Sequence, residues 1–170
     1  MLVLTVRYLV LVPDETHLRQ LRRALKLASE NIRSGMGGPF GAVIAAGDEI
    51  LAEGTNRVTS ELDPTAHAEI SAIRAACRKL GRFSLQGYTL YSSCEPCPMC
   101  LSAIYWARLD ALYFAASRED AARAGFDDSF LYQQLPLDIH ERKLPTIRLL
   151  QDEGTEAFEG WLRQPGRVPY

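Results

Sequence analysis

The sequence predicts an α/β protein in which one sheet carries helices on both faces. Short apolar runs alternate with segments of helical periodicity from about residue 88 onward, a pattern typical of such folds. Helical segments connect the later runs, so at least these strands should be parallel. The chain has 170 residues, of which 47% are hydrophobic and 24% charged, without repeats or low-complexity tracts. We therefore expect a single domain, residues 1–170, with one sizeable core.

The first half of the chain predicts a helix, a hairpin and a second helix. Apolar residues recur at helical spacing over about residues 14–34, before a stop at Gly35: Leu18, Leu21, Leu25, Ala28 and Ile32. Residues 41–46 and 50–54 are apolar runs joined by Gly47 and Asp48, which indicates a hairpin. A second helix should follow Pro64 and Thr65 and end at Gly81. Its core face consists of Ile70, Ile73, Cys77 and Leu80.

The second half predicts a strand, a helix, a second strand and, near the C-terminus, a last helix. Residues 88–92 are expected to form a buried strand, and residues 98–108 a helix. Another strand should follow at 111–115. The last helix is expected at 152–163, where its apolar side consists of Phe158, Trp161 and Leu162.

The apolar run near the N-terminus does not predict a membrane segment. Residues 1–12 are interrupted by Arg7 and are far fewer than the roughly 20 that a spanning helix needs. The run also lacks the basic start and the small-residue cleavage site of a secretion signal. We expect a cytoplasmic protein, in which residues 2–12 form a strand or residues 1–13 are an extension from a misassigned start codon.

The net charge and the spacing of the cysteines restrict the expected binding partners and the expected role of the thiols. The net charge of −2 gives no general attraction to a polyanion, so a nucleic acid is not an expected partner. Three of the four cysteines lie within residues 94–100, and such a cluster in a cytosolic chain indicates metal binding or catalysis rather than disulfides. Cys77 lies on the apolar face of a predicted helix and should be an inert core thiol.

Two segments that each begin a predicted helix, residues 64–69 and 94–100, contain the candidate metal ligands. Cys97 and Cys100 are three residues apart, so on a helix their side chains project from the same face. The first turn of a helix, where Pro98 is tolerated, favours the thiolate form that a metal needs. With His67 they make a three-ligand zinc site, one Zn²⁺ per subunit, whose fourth position is open to water.

Cys94 leaves an alternative open. Cys94 and Cys97 have the same spacing as Cys97 and Cys100, although Pro96 precedes the latter pair and Cys94 falls at the end of a strand. A structural site with four ligands, the three cysteines and His67, would make the chain a zinc module that only binds partners. Such a module would give Glu69, beside the ligands, no task. His17 and His140 lie on polar segments without companion ligands and should be solvated surface groups.

The order of these residues matches a known catalytic signature. A His-x-Glu followed by Pro-Cys-x-x-Cys is the signature of zinc-dependent nucleobase deaminases, in which the Glu is a general acid and base and not a ligand. Bound zinc lowers the pKa of a water to about 7. Glu69 would take the proton of that water and deliver it to a ring nitrogen and to the leaving amine.

From about residue 18 to the C-terminus, the sequence resembles the cytidine deaminase superfamily and, within it, the small bacterial guanine deaminases. The resemblance rests on four blocks: residues 37–44, 63–69, 93–108 and 124–130. The first three are shared with transfer-RNA adenosine deaminases, whereas the last is more particular to the guanine branch. The resemblance implies a three-layer α/β/α sandwich around a five-stranded mixed sheet.

The resemblance also implies roles for individual residues. An Asp matching Asp128 binds the substrate and helps to protonate its amino group, and an Asn matching Asn56 holds the base. Tyr170 matches an aromatic C-terminal residue that reaches the partner subunit's active site in a homodimer with swapped C-termini, here residues 152–170. The remaining residues expected around the base are Phe40, Ala68 and Trp106.

The reaction implied is the hydrolysis of guanine, a small-molecule substrate, to xanthine and ammonia. Editing of adenosine in transfer RNA is the nearest alternative, but Glu119 and Asp120 interrupt the basic residues between Arg118 and Arg123, which disfavours a polyanion. Deamination of a pterin, a cytosine or a triazine amine is a further alternative. The structural zinc module is the alternative outside catalysis.

Overall fold

Residues 14–169 are described in the computed structural model of the protein. The elements in chain order are α1 (Glu15–Ser34), β1 (Gly41–Ala46), β2 (Glu49–Thr55), α2 (Val58–Glu61), α3 (Ala68–Leu80), β3 (Thr89–Cys94), α4 (Pro98–Trp106), β4 (Ala111–Ala116), α5 (Arg118–Arg123), α6 (Ser129–Gln134) and α7 (Gln151–Arg163). The strand expected within residues 2–12 lies outside the described residues, as does Tyr170. Each helix of the described part is too short or too polar to cross a membrane.

The chain divides into two compact units, with the boundary between Ser117 and Arg118. The first unit contains the sheet with α1 to α4, and the second contains α5, α6 and α7. The expectation of one deaminase domain for the whole chain stays a prediction.

The sheet has the strand order β2-β1-β3-β4. β1 pairs antiparallel with both β2 and β3, whereas β3 pairs parallel with β4, as the helical connection α4 between them predicts. The expectation of five strands was wrong, because the sheet of the described residues has four. After β4 the chain turns directly into α5 and α6, and Pro145 removes a backbone donor from the next apolar stretch, at 144–150.

Helices cover both faces of the sheet, as the sequence predicts. On one face, Ala24 and Leu27 of α1 pack against Val43, Ala45 and Tyr91. On the other face, the alternate strand residues pack against α3 and α4 in a second cluster: Ala42, Ile44, Leu90, Ala68, Ala72, Ala76 and Ile104. Because successive side chains of a strand point to opposite faces, the sheet contributes alternate residues to two separate hydrophobic clusters.

The predicted helix ends are confirmed by their caps. The Asp14 carboxylate accepts a hydrogen bond from the His17 N–H at 3.0 Å, which begins α1. Gly35 and Gly81 end α1 and α3 in the left-handed conformation, with φ of 68° and 64°. The sequence reasoning missed α2, α5 and α6, which span six residues or fewer and carry little periodicity.

His17 is not the solvated surface group that the sequence suggested. Its Nδ1 lies 2.8 Å from the Tyr91 hydroxyl, and its Nε2 lies 3.3 Å from the Tyr113 hydroxyl. The imidazole also stacks on the Tyr113 ring at 4.3 Å between centroids. The reason is that β3 and β4 present both tyrosines on the face that α1 covers, so the polar start of α1 meets their hydroxyls.

Candidate active site

The β3–α4 segment positions two thiols at the start of a helix. Cys97 is the N-cap of α4 and has an extended conformation, while Pro98 fills the first helical position, where its missing N–H costs nothing. Cys100 then lies in the first turn and is fully buried. The helical spacing of three residues brings both sulfurs to the same face, as predicted.

The segment before α3 brings an imidazole to the same place. The Asp63 carboxylate accepts hydrogen bonds from the Thr65 N–H at 2.8 Å and from the Thr65 hydroxyl at 2.7 Å. These donors lower the pKa of Asp63, and they hold the turn that leads to His67, the N-cap of α3. The Arg57 N–H donates to the Ala66 carbonyl at 2.8 Å, which ties this turn to the chain that follows β2.

The three side chains meet as a ligand set for a metal. His67 Nδ1 lies 3.6 Å from Cys97 Sγ and 3.5 Å from Cys100 Sγ, and all three ligand atoms lie within 4.8 Å of one another. Sulfur and nitrogen ligands at their usual zinc distances, about 2.3 and 2.0 Å, lie about 3.5 Å apart in a tetrahedron. The donor set and its spacing therefore fit zinc.

Electrostatics in this group favour one thiolate. The hydrogen bond from Cys100, with a second from His67, lowers the pKa of Cys97 to about 4. The hydrogen bond to Cys97 raises the pKa of His67, and donation to Cys97 together with burial raises the pKa of Cys100. Because metal ligands must be deprotonated, zinc would displace protons from this group as it binds.

Glu69 lies against the ligand group without belonging to it. Its side chain is buried, and burial raises the pKa of its carboxyl. Oε2 accepts a hydrogen bond from Cys100 Sγ at 3.5 Å, and Oε1 accepts one from the Ser92 hydroxyl at 3.3 Å. A carboxyl with a raised pKa beside a metal group is a good candidate for proton transfer.

Cys94 points away from the ligand group. It ends β3, and its Sγ donates to the Ser117 carbonyl at 3.5 Å. Within residues 14–169, the cluster of metal-binding side chains consists of His67, Cys97 and Cys100. The geometry thus favours the second cysteine pair over the first and does not support the four-ligand alternative.

Asn56 is fixed by a network that involves α1. Its Oδ1 accepts from the backbone N–H groups of Gly38 at 3.2 Å and Val58 at 3.3 Å. The backbone N–H of Asn56 donates to the Phe40 carbonyl at 3.2 Å. The buried Asn31 of α1 donates from Nδ2 to the carbonyls of Gly38 at 2.8 Å and Asn56 at 2.9 Å. Sequence reasoning missed Asn31, which shares the buried face of α1 with Gln20 and three apolar residues.

Comparison with known proteins assigns this arrangement to a family. The sequence profile of the cytidine and deoxycytidylate deaminase zinc-binding region matches residues 14–116. The chain belongs to this family.

Relatives within this deaminase family include enzymes of two kinds. The guanine deaminase of Bacillus subtilis (strain 168) is 52% identical over 150 residues, which are 88% of this chain and 96% of the relative. The solved structure of guanine deaminase from Bacillus subtilis matches with a TM-score of 0.88 and 49% identity, covering 91% of this chain and 98% of that chain. The transfer-RNA-specific adenosine deaminase of Bacillus subtilis (strain 168) is 37% identical over 103 residues, 61% of this chain and 62% of the relative.

The remaining predicted site residues of this deaminase in the first unit have different surroundings. Phe40 is partly buried and packs against the core cluster that contains Ala68. Since the Ala68 side chain is fully buried there, only its main chain can face a ligand. Trp106 ends α4 and is 63% exposed. Nine residues of helical rise, about 13 Å, separate Trp106 from Cys97, and the role of Trp106 beside the base stays a prediction.

The other two predicted residues belong to the second part of the chain. Asp128 precedes α6 at its N-cap position and lines a cavity of about 300 Å³ within the second unit. The Asp127 carboxylate, and not that of Asp128, accepts from the Ser129 N–H at 2.9 Å. Tyr170 lies outside the described residues. The roles of Asp128 and Tyr170 stay predictions.

Proposed function

We propose that this protein is a zinc-dependent aminohydrolase that converts guanine and water to xanthine and ammonia. One observation carries the reaction type: a buried carboxylate, Glu69, has an oxygen 3.5 Å from Cys100 Sγ in a group of three ligands suited to zinc. A purely structural site needs four protein ligands and no acid or base. Three ligands beside a carboxylate instead suit hydrolysis.

The division of labour follows from these positions. His67, Cys97 and Cys100 would hold the metal. When bound, zinc supplies a Lewis acid that makes water nucleophilic at neutral pH. Glu69 is close enough to take a proton from a water at the ligand group, and its burial keeps the carboxyl able to give that proton back.

The reaction balances with Glu69 as the proton carrier. The water oxygen bonds to the ring carbon that bears the amino group, and the bond between that carbon and the amino nitrogen breaks. One water proton goes to a ring nitrogen and the other to the departing amine, which leaves as ammonia. Glu69 transfers both protons in turn and ends the cycle unchanged.

Guanine is favoured over an adenosine in transfer RNA because of the length of the similarity. A match of 150 residues to guanine deaminase is too long for the first unit, which ends at Ser117, so it includes much of the second unit. The matches to transfer-RNA-specific adenosine deaminases are shorter, and that of Bacillus subtilis is also less identical, 37% over 103 residues against 52% over 150. The net charge of −2 also disfavours a polyanion.

The substrate contacts are proposed residue by residue. Asn56 would hold the base, since its side chain is fixed by Gly38 and Val58 beside the turn that leads to His67. Asp128 would bind the substrate and help to protonate its amino group. The remaining residues proposed around the base are Phe40, Ala68 through its main chain, Trp106 and Tyr170.

We also propose a homodimer with swapped C-termini, acting in the cytoplasm. Tyr105 and Trp106 on α4, and Phe158 and Leu162 on α7, are large apolar side chains that are between 63% and 75% exposed. A second subunit that covers them would remove apolar surface from water. The cytoplasm is proposed because it is a reducing compartment, and a zinc site with cysteine ligands requires reduced cysteines.

Ammonia release by the purified, zinc-loaded protein tests the substrate directly. Guanine, guanosine, adenine, cytosine and cytidine should be compared, together with a gel shift against transfer RNA. We expect ammonia from guanine and no shift of transfer RNA. Release from another base, or none from guanine together with a transfer-RNA shift, would contradict the guanine assignment.

A further inference from the structure

Ser92 is a buried hydroxyl in an apolar part of the sheet. It lies in the middle of β3, paired with Ala42 of β1 and Phe114 of β4, on the same face as Leu90 of the core cluster. Its exposed fraction is 2%. Burying a hydroxyl costs free energy unless it has a hydrogen-bond partner, and the partner here is the Glu69 carboxylate.

The two oxygens of Glu69 have different neighbours. Oε1 lies 3.3 Å from the Ser92 hydroxyl on the sheet, whereas Oε2 lies 3.5 Å from Cys100 Sγ in the ligand group. A thiol is a weak hydrogen-bond donor and, once deprotonated to bind a metal, donates nothing, whereas a hydroxyl is a stronger donor. Ser92 is therefore the firmer of these two contacts, and together with the hydrogen bond from the Glu69 backbone N–H it holds the carboxylate against rotation about its last bond.

We propose that Ser92 is a positioning residue that holds Glu69 by Oε1, so that Oε2 is the oxygen that takes and returns the proton. The inference rests on the proposed function, because it assigns the working atom of the proposed proton carrier. Oε2 takes a proton as the water oxygen bonds to the ring carbon, and it gives the proton up to a substrate nitrogen. Ser92 keeps its own proton throughout.

The neighbouring serine provides a matched control. Ser93 is also buried, but it lies on the opposite face of β3, and its Oγ accepts from the Gly41 N–H at 3.0 Å. Ser92→Ala and Ser93→Ala therefore each remove one buried hydroxyl and one hydrogen bond from the same strand. Only Ser92→Ala removes a contact to Glu69.

Steady-state kinetics on guanine and zinc analysis separate positioning from packing. We expect Ser92→Ala to keep one zinc per chain, to lower kcat by about 10- to 100-fold and to leave KM within about twofold, the range found when partners that orient a metal site are lost. Ser93→Ala should keep kcat within about twofold. Ser92→Thr, which retains the hydroxyl, should recover part of kcat, whereas a packing role would make the larger threonine worse than alanine.

Crystal structures of the zinc-loaded proteins give a readout that is independent of activity. We expect the contact between Ser92 Oγ and Glu69 Oε1 in the unaltered protein, and a rotated carboxylate in Ser92→Ala. An active unaltered protein whose Ser92→Ala variant has unchanged kcat, or an unrotated carboxylate, overturns the Ser92 inference alone. An unaltered, zinc-loaded protein that releases no ammonia from guanine overturns the proposed function instead.

Discussion

Gly54 of β2 lies directly against the carbonyl oxygen of Ala68, the first residue of α3. A Cβ on Gly54 would come within 3.0 Å of this oxygen and of the Ala72 backbone nitrogen, closer than real Cβ atoms approach their neighbours. The missing side chain thus lets α3 start in contact with the sheet. Since His67 and Glu69 flank Ala68, this contact also determines where both functional side chains lie.

Gly54→Ala should damage both stability and metal binding. The added methyl group must displace backbone, so we expect the free energy of unfolding to fall by about 1–3 kcal/mol, as in overpacked cores, and zinc to bind more weakly. Gly160→Ala on α7 is the control, because nothing lies within 4 Å of its added Cβ. Alanine there should be neutral or stabilise the protein by up to about 1 kcal/mol.

Denaturant melts and zinc titrations of the Gly54→Ala and Gly160→Ala proteins measure both effects. Equal changes in stability and zinc affinity in the two variants would contradict the role given to Gly54.

Three cysteine variants test which sulfurs bind zinc. Cys97→Ser and Cys100→Ser each remove a ligand atom, so both should bind zinc at least about tenfold more weakly. Cys94→Ser should retain one zinc per chain, because a serine hydroxyl can still donate to the Ser117 carbonyl. Zinc analysis after dialysis against a chelator measures the difference. Loss of zinc from Cys94→Ser to the same extent as from Cys97→Ser would support the four-ligand structural site.

Asn31→Ala should raise KM for guanine. The variant leaves the buried Asn56 carbonyl without its Asn31 donor and the Gly38 carbonyl with only the Phe40 N–H, which should cost about 1–3 kcal/mol of stability and loosen the Asn56 side chain. Gln20→Ala is the matched control on the same helix, since the buried Gln20 donates to the Gly47 carbonyl at 3.0 Å. Both variants should be less stable, and only Asn31→Ala should raise KM, by about fivefold or more. Parallel changes in KM would show that Asn31 acts through general stability.

Deletion of Tyr170 tests its proposed place against the base. If the tyrosine stacks on guanine, its loss should cost about 1–3 kcal/mol of substrate binding, the usual value of an aromatic ring on a base. KM should rise while zinc content stays at one per chain. In a swapped dimer, a mixture of this truncated protein with Glu69→Gln subunits should also recover activity of low KM, which neither protein has alone. Unchanged KM after the deletion would remove Tyr170 from the site.

The parts of the fold and site that sequence could predict depend on local spacing. The Asp14 cap of α1 and its stop at Gly35 are both contained in one short stretch of chain. The predicted core stripe of α1 was partly wrong, because Leu18, Leu25 and Ile32 are exposed, whereas Ala24 and Leu27 pack on the sheet. The ligand pair Cys97 and Cys100 is likewise defined by a single helical turn after Pro96. Such features need no knowledge of which strands are neighbours, so the pattern alone was sufficient.

The parts that sequence could not predict depend on contacts between distant residues. Ser92 meets Glu69 across 23 positions, Asn31 meets Asn56 across 25, and His17 meets Tyr91 across 74. Each contact is determined by strand register and by the rotation of a helix on the sheet. The number of strands in the sheet could not be predicted for the same reason, because it depends on whether a later segment of the chain returns to pair with β4.

Xanthine formation by the unaltered protein and by Glu69→Gln, each assayed for zinc in the same preparation, tests the central claim most directly. The substitution keeps the shape of the side chain and removes its ability to carry a proton. We predict one zinc per chain in both proteins, equal amounts of xanthine and ammonia from guanine in the unaltered protein, and a rate about 10²- to 10⁴-fold lower in the variant. A zinc-loaded Glu69→Gln protein with an unchanged rate, or an unaltered protein that forms no xanthine, would contradict it.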